Sequence, residues 1–334
     1  MDKFAVYFLL AFAVNFLATP VFARVSLALG IIDHPSEKRF HLTSMPMLGG
    51  LSMTLSFLGV MLYVDGGAHL RQYWALFAAA SFMMAAGLFD DIKGISPGAK
   101  LALQGGASVL VIAGGHMLRP TGIFPVDAVL TLIWIVGIIN ALNLIDNIDG
   151  LSSGTAAICA CFFALFALLA GKPGVALTAI VFSGVCMGFL FHNFHPASLF
   201  LGDAGSMFVG AMLAGMGVLV AEPRNTVHFW AIGVVLGLLI FDTGLVTIMR
   251  VTHGLKITEG GKDHTSHRLC SLGLSIQGAV TVLFAANFLF GAAAILMLKA
   301  PRSQALLIPL VLFLIGATCW FLLKDTYDYN QTRV

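Results

Sequence analysis

Long apolar runs recur along the whole sequence and are separated by short polar segments. A helix needs about 20 predominantly apolar residues to cross the hydrocarbon core of a bilayer, and these runs have that length. Of the 334 residues, 59% are hydrophobic and only 10% are charged, whereas a soluble domain usually carries about 25% charged residues. The sequence therefore predicts an all-α, polytopic integral membrane bundle that contacts the lipid bilayer, with no separate soluble domain.

The runs and the turn residues between them predict about eleven transmembrane helices in a single domain covering residues 1–334. Gly171-Lys172-Pro173-Gly174, for example, is typical of a tight turn between two spans. The predicted spans are 4–28, 47–64, 73–89, 99–116, 128–144, 152–170, 174–191, 206–221, 228–249, 276–298 and 304–323.

The distribution of basic residues predicts which side of the membrane each loop occupies. With eleven spans, 11 of the 18 lysines and arginines lie on one side. Cytoplasmic loops are enriched in these residues, so this side is predicted to be cytoplasmic. The net charge of +2 gives no indication of nucleic-acid binding. The predicted cytoplasmic segments are 29–46, 90–98, 145–151, 192–205, 250–275 and the C-terminal tail.

Three acidic motifs lie where apolar runs meet these loops: Asp90-Asp91, the segment 143–150 and the segment 201–206. Carboxylates near hydrocarbon are costly and are usually functional. Adjacent carboxylates such as Asp90 and Asp91 repel each other unless a cation or a proton lies between them. The clustering predicts a site for a hard metal ion and phosphate at the membrane face, although a solvated helix end is the alternative for an isolated pair of aspartates.

The segment 143–150 contains three oxygen-bearing side chains at regular spacing. If the fifth span continued as a helix, Asn143, Asp146 and Asp149 would form a row on one face, and Gly150 would end that helix. Such a row suits a hard cation or a phosphate–metal assembly. A polar cap that faces water is the alternative.

The segment 201–206 opens the eighth span and follows a break at Pro196. Free backbone N–H groups at a helix start, flanked by glycines, predict a phosphate seat. Asp203 beside this seat would hold a cation bridging to the phosphate. Ser206 is either part of this site or a simple N-cap.

The last long loop contains Asp263-His264-Thr265-Ser266-His267-Arg268. The spacing of the two histidines is compatible with zinc, but no cysteine cluster accompanies them. The guanidinium of Arg268 is better suited to binding pyrophosphate. A basic loop that is merely solvated, with no ligand, is the alternative. Asp242 lies inside the ninth span, where it either reaches the same site or pairs internally.

Taken in this order, the motifs between Lys38 and Arg268 resemble those of the polyprenyl-phosphate N-acetylhexosamine-1-phosphate transferase family. That family includes phospho-N-acetylmuramoyl-pentapeptide transferase and the undecaprenyl-phosphate GlcNAc-1-phosphate transferases of O-antigen, enterobacterial common antigen and teichoic-acid synthesis. The resemblance implies a multi-pass enzyme of the bacterial inner membrane with a cytoplasmic active site. Such an enzyme moves a sugar 1-phosphate from a UDP-sugar donor to a polyprenyl phosphate acceptor and releases UMP. It requires Mg²⁺, with Mn²⁺ as the alternative cation.

The resemblance also implies a role for each matching residue. Asn143 and Asp203 match the metal-holding positions. The implied catalytic residues are Asp90, Asp91, Asp146, Asp149 and His267, and the implied substrate-binding residues are Lys38, Lys100, Asn193, His264 and Arg268.

Two positions depart from the family pattern. The consecutive histidines of the muramoyl-pentapeptide enzymes are replaced by the segment 263–268, which argues for a simpler UDP-N-acetylhexosamine, with GlcNAc the first expectation. Asn147 stands where the family commonly has glycine. The muramoyl-pentapeptide activity, an ion-coupled transporter and a non-catalytic scaffold are the alternatives. A transporter would be expected to have inverted repeats and coupling residues near the bilayer midplane. The oligomeric state is left open, with a homodimer as one alternative.

Overall fold

The computed structural model describes residues 2–33, 44–257, 261–324 and 326, and over these ranges it is almost entirely helical. Its one sheet is a two-stranded antiparallel ribbon of β1 (Ile32–Asp33) and β2 (Met45–Pro46). The helices are α1 (Asp2–Leu29), α2 (Gly49–Asp65), α3 (Ala68–Gln72), α4 (Trp74–Lys93), α5 (Pro97–Ala113), α6 (Phe124–Ile145), α7 (Leu151–Leu169), α8 (Pro173–Asn193), α9 (Gly202–Val220), α10 (Thr226–Val235), α11 (Gly237–Thr252), α12 (Thr265–Ser271), α13 (Ile276–Lys299), α14 (Arg302–Ala305) and α15 (Leu307–Leu323).

Within the described residues, eight helical stretches are long and apolar enough to cross a membrane. These are α1, α4, α6, α7, α8, α9, α13 and the stretch Arg302–Leu323. The pair α10–α11 would make nine, while α2 and α5 are shorter apolar helices of 17 residues each. The prediction of an all-α, multi-pass membrane protein is confirmed, whereas the count of eleven spans is not.

The predicted ninth span, 228–249, is not one continuous helix. The axes of α10 and α11 meet at an angle of 71° at Leu236. At the start of α11, a Cβ atom on Gly237 would lie only 2.5 Å from the ring of Phe290, so this glycine permits α11 to begin in close contact with α13. A hydropathy pattern does not reveal such a bend, because the apolar run continues through Leu236 without interruption.

Helix α9 forms the centre of the bundle. Of the most apolar 18 residues of α9, 89% are buried, whereas 0% of the most apolar 18 residues of the stretch Arg302–Leu323 are, and this stretch lies on the outside. Helix α9 packs against α2, α4, α6 and α7. A helix that is apolar on all sides is expected at such a buried position.

Two glycines allow neighbouring helices to approach the start of α9 closely. A Cβ atom on Gly87 of α4 would lie 2.3 Å from the backbone oxygen of Asp203, and one on Gly50 of α2 would lie 2.1 Å from the backbone nitrogen of Gly205. Small residues permit such close contacts between membrane helices. The end of α4, which carries the paired aspartates, is therefore held directly against the start of α9.

Candidate active site

Four side chains from four different helices meet at the start of α9. The ammonium group of Lys100 on α5 contacts Asp90 of α4 and donates a hydrogen bond of 2.8 Å to Oδ2 of Asp203. The amide of Asn143, near the end of α6, donates to Oδ1 of Asp203 at 2.5 Å and to Oγ of Ser206 at 2.8 Å. We call Asp90, Lys100, Asn143 and Asp203 the central cluster, and the end of the bundle on which they lie the cluster face.

The central cluster is only partly shielded from solvent. The side chain of Asp90 is 6% exposed, whereas those of Lys100 and Asp203 are 24% and 29% exposed. Asp90 is also fixed by the backbone N–H of Ile95, which donates to its Oδ1 at 2.7 Å. A ligand approaching from the cluster face would therefore meet Lys100 and Asp203 first.

The two adjacent aspartates have different surroundings. Asp91 accepts hydrogen bonds from the backbone N–H groups of Asp203 at 2.9 Å and Ala204 at 3.0 Å. A carboxylate at a helix N-terminus satisfies unpaired donors and interacts favourably with the helix dipole. The prediction of a free phosphate seat at this helix start is wrong, because Asp91 occupies these donors. The N-cap alternative for Ser206 is also wrong, since Ser206 lies within α9.

The predicted helical row of Asn143, Asp146 and Asp149 is wrong. Helix α6 ends at Ile145, and residue 146 already has a non-helical backbone. Gly150 does not end that helix but precedes α7, with a φ of +79° that favours glycine. The turn separates the three side chains, so only Asn143 joins the central cluster.

Each aspartate in this turn has its own hydrogen-bond partners. Asp146 accepts a hydrogen bond of 2.5 Å from the hydroxyl of Ser152. Oδ2 of Asp149 lies 2.8 Å from Nδ1 of His195 and accepts from the backbone N–H of Ala197 at 3.1 Å. His195 is not among the predicted site residues, although its position in the loop directly before Pro196 is a usable signal.

Asn193, a predicted substrate-binding residue, is buried at the end of α8. Its Oδ1 accepts from the backbone N–H of Gly150 at 3.2 Å and from Ser153 at 3.0 Å, and its Nδ2 donates to the carbonyl of Leu199 at 3.1 Å. These contacts tie α7 to the loop before α9. They favour a role in holding the turn at residues 146–150, and substrate contact by Asn193 stays a prediction.

The segment 263–268 is buried, and two pairs of charged or titratable side chains hold it. Asp242 pairs internally: its Oδ2 lies 2.8 Å from Nδ1 of His264, and its Oδ1 accepts from the backbone N–H of Thr265 at 2.7 Å. Arg250 donates to both carboxylate oxygens of Asp263, at 2.8 and 2.6 Å. Burial alone would raise the pKa of Asp263, but the hydrogen bonds and charge of Arg250 lower it. Arg250 is not among the predicted site residues, because a single arginine at a span end resembles an anchoring charge.

Arg268 is fully buried rather than exposed in a basic loop. Its guanidinium donates to the carbonyl of Asp263 at 2.9 Å, to that of Leu323 at 2.8 Å and to that of Lys324 at 3.3 Å. Basic side chains commonly bind the last carbonyls of a helix in this way. These contacts favour a structural role for Arg268, and its predicted contact with pyrophosphate stays a prediction. Lys38 lies outside the described residues.

His267 is expected to make stability depend on pH. Burial, followed by the nearby charge of His264, lowers the pKa of His267 to about 4 from its ordinary value of 6.5. Between these values the unfolded chain binds the proton more readily, so stability falls as the pH decreases through this window. Thermal unfolding at pH 7.5 and pH 5 should show a drop in midpoint for the wild-type protein and a smaller drop for His267→Gln. Equal drops for the two proteins would contradict this assignment.

The central cluster suits a hard cation that is shared with a substrate. Among the described residues, no group of three or more His, Cys, Asp or Glu side chains could hold a metal alone. Among the same described residues, the zinc alternative for His264 and His267 therefore has no third ligand. Mg²⁺, however, is usually held by one or two carboxylates together with phosphate oxygens and water. The carboxylate of Asp203 and the amide oxygen of Asn143 are donors of this type, so the residues fit Mg²⁺ bound jointly with pyrophosphate.

A helical membrane bundle that gathers carboxylates, an amide and a lysine at one face has the groups needed to bind a hard cation together with phosphate oxygens. The model of glycosyl transferase family 4 matches residues 73–221, which contain the whole central cluster. Together with the full-length relatives described next, this match shows that the chain belongs to glycosyl transferase family 4, and the predicted resemblance is confirmed.

Two curated relatives cover nearly the whole chain. A protein of Bacillus subtilis (strain 168), named as a probable undecaprenyl-phosphate N-acetylglucosaminyl 1-phosphate transferase, is 31% identical over 94% of this chain and 90% of its own length. Decaprenyl-phosphate N-acetylglucosaminephosphotransferase of Mycobacterium tuberculosis is 29% identical over 98% of this chain and 91% of its own length. Phospho-N-acetylmuramoyl-pentapeptide-transferase of Thermosynechococcus vestitus is 41% identical, but over only 28% of this chain and 22% of its own length.

Proposed function

We propose that the chain transfers N-acetylglucosamine 1-phosphate from UDP-N-acetylglucosamine to a polyprenyl phosphate, most simply undecaprenyl phosphate, and releases UMP. The convergence of Asp90, Lys100, Asn143 and Asp203 inside the family-matched segment carries this proposal. The excess of basic residues on the loops of the cluster face supports placing the reaction at the cytoplasmic side of the bacterial inner membrane.

The proposed chemistry is direct attack by the acceptor. A phosphate monoester has a second pKa of about 6, so the lipid phosphate is largely dianionic at neutral pH and hardly needs a strong base. One of its oxygens forms a bond to the β-phosphorus of the UDP-sugar, while the bond between that phosphorus and the bridging oxygen breaks. UMP leaves with the electron pair of the broken bond. Phosphoryl transfer of this kind depends mainly on positioning and charge stabilisation.

The central cluster can supply both of these contributions. Lys100 places a positive charge next to Asp90 and Asp203, where it would offset the negative charge of the pyrophosphate. Asp90 would orient the lipid phosphate and accept its residual proton. A covalent route through an aspartyl phosphate is the alternative, and trapping a phosphoryl-enzyme on Asp90 or Asp91 would overturn direct attack.

Asn143 and Asp203 would hold Mg²⁺, with Mn²⁺ as a substitute. The bound ion would neutralise charge that builds on the leaving phosphate. Asp203 accepts hydrogen bonds from Lys100 and Asn143, so the three side chains lie together where the ion and the pyrophosphate are proposed to bind.

UMP release from purified protein tests the proposed function. The protein would be reconstituted with Mg²⁺ and undecaprenyl phosphate, and offered UDP-N-acetylglucosamine, UDP-N-acetylgalactosamine and UDP-N-acetylmuramoyl-pentapeptide in separate reactions. We expect UMP from the first donor, loss of activity with EDTA and recovery with added Mg²⁺. Activity with the pentapeptide donor alone would favour a muramoyl-pentapeptide transferase. This activity is the second candidate, because such an enzyme is similar to part of the chain. Absence of UMP with every donor would contradict the proposal.

A further inference from the structure

The start of α12 is attached to the rest of the site at two points. On one side, Asp242 of α11 binds His264 and the backbone N–H of Thr265. On the other side, the hydroxyl of Ser266 lies 2.6 Å from Oδ1 of Asn147, which belongs to the turn between α6 and α7. The first attachment joins residues near in sequence, whereas the second joins segments 119 residues apart.

The direction of the second hydrogen bond follows from the other contact of Asn147. The amide nitrogen of Asn147 donates to the carbonyl of Leu144 at 2.9 Å, so its oxygen is left facing Ser266. An amide oxygen accepts only, and the hydroxyl of Ser266 must therefore be the donor. Ser266 is 1% exposed, and a hydrogen bond shielded from water in this way is electrostatically stronger than one at the surface.

This contact connects two segments that carry candidate site residues. Asn147 directly follows Asp146, and Ser266 directly precedes His267. The contact depends on the amide side chain of Asn147. Glycine has no side chain that could accept from Ser266, so the connection depends on the asparagine present in this chain.

We propose that Asn147 and Ser266 form a clamp that fixes the start of α12, and with it His267, relative to the α6–α7 turn and so shapes the site for the UDP-sugar. The proposal rests on the proposed function. Both members are positioning residues, because they act through the segments that carry Asp146 and His267. Neither clamp residue is a member of the central cluster, whose members come from α4, α5, the end of α6 and α9.

The clamp predicts a selective kinetic effect. When it is broken, Asp242 still holds His264 and Thr265, so the chain is expected to fold. The position of α12 then varies relative to the α6–α7 turn. Binding of the UDP-sugar weakens, because the clamp is proposed to shape its site. We expect the KM for the UDP-sugar to rise while the KM for polyprenyl phosphate changes little. A contact with a merely structural role would lower the amount of folded protein and leave both KM values unchanged.

A double-mutant cycle tests the coupling. Asn147→Gly and Ser266→Ala should each lower kcat/KM for the donor about tenfold, which corresponds to about 1.4 kcal/mol. The double variant should lose no more than either single variant, because both changes remove the same hydrogen bond. Ser266→Thr keeps a hydroxyl and should retain most of the activity. Ser271→Ala is the matched control, since Ser271 lies on the same helix and binds the carbonyls of Arg268 and Thr326 instead. Additive losses, or an unchanged KM for the donor, would overturn the clamp.

Hydrogen–deuterium exchange provides a measurement that does not depend on activity. Peptides covering residues 263–271 should exchange faster in Asn147→Gly and Ser266→Ala than in the wild-type protein or in Ser271→Ala. Unchanged exchange in the first two variants would overturn the clamp even if the wild-type enzyme is active. A wild-type protein that releases no UMP would instead overturn the proposed function, and the exchange measurement would then decide on the clamp alone.

Discussion

Replacing Asp203 by asparagine is expected to lower kcat for UMP release by about 1,000-fold, a loss typical of removing a preorganised charged group from a reaction centre. Within the described residues, Asp203 is the member of the central cluster that contacts both Lys100 and Asn143. The substitution keeps the size of the side chain but removes its charge. It also removes the carboxylate that is proposed to bind Mg²⁺.

The fold should tolerate this change. Asp91 binds the backbone N–H groups at the start of α9, so the helix start does not depend on the side chain of Asp203. A thermal midpoint close to that of the wild-type protein would confirm that the loss is catalytic. Glu222→Gln is the control, because it removes an acid from the opposite end of α9, where the side chain is 44% exposed. Full activity of Asp203→Asn would refute its place at the centre of the reaction.

Replacing Lys100 by methionine is expected to lower kcat by about 100-fold, since the ammonium is proposed to offset charge on the transferring phosphate. Methionine keeps most of the aliphatic length, so packing between α5 and its neighbours is largely preserved. Without the ammonium group, however, the carboxylates of Asp90 and Asp203 face each other with no positive side chain between them. Like charges at short distance repel, and the cluster should lose its preorganised shape.

The UMP-release assay under saturating donor and acceptor measures this effect. Lys93→Met is the matched control. Lys93 is an exposed lysine at the end of α4 that carries Asp90, so it lies on the cluster face, as Lys100 does. It should keep nearly full activity, which would separate a local effect of Lys100 from a general loss of positive charge. If both variants lose activity equally, the specific role of Lys100 would be ruled out.

The helices and the meeting of Asp90, Asn143 and Asp203 could be predicted from the sequence. Bilayer thickness sets the length of apolar runs, and each of these residues lies at a run end on the same side of the membrane. Their exact partners could not be predicted in this way. The sequence does not distinguish Asp90 from its neighbour Asp91, yet Asp90 contacts Lys100 whereas Asp91 binds the start of α9.

The surroundings of the segment 263–268 could not be predicted from the local sequence. A run of histidine, serine and arginine in a polar loop indicates solvent exposure, but Arg268 is fully buried. Its acceptors at Leu323 and Lys324 lie more than fifty residues away in the chain, and no local pattern connects them. The row predicted for Asn143, Asp146 and Asp149 failed for a related reason. Periodicity assumes that a helix continues, and the turn after Ile145 ends it.

The contact between Arg268 and the end of α15 bears on how the enzyme matures during synthesis. Translation proceeds from the N-terminus, so α12 leaves the ribosome before Leu323 and Lys324 have been added. The guanidinium of Arg268 can therefore reach these carbonyls only after α15 has been synthesised. A nascent chain that already contains the entire central cluster would still lack the contact between α12 and the end of α15, which delays this part of the assembly until α15 has been added.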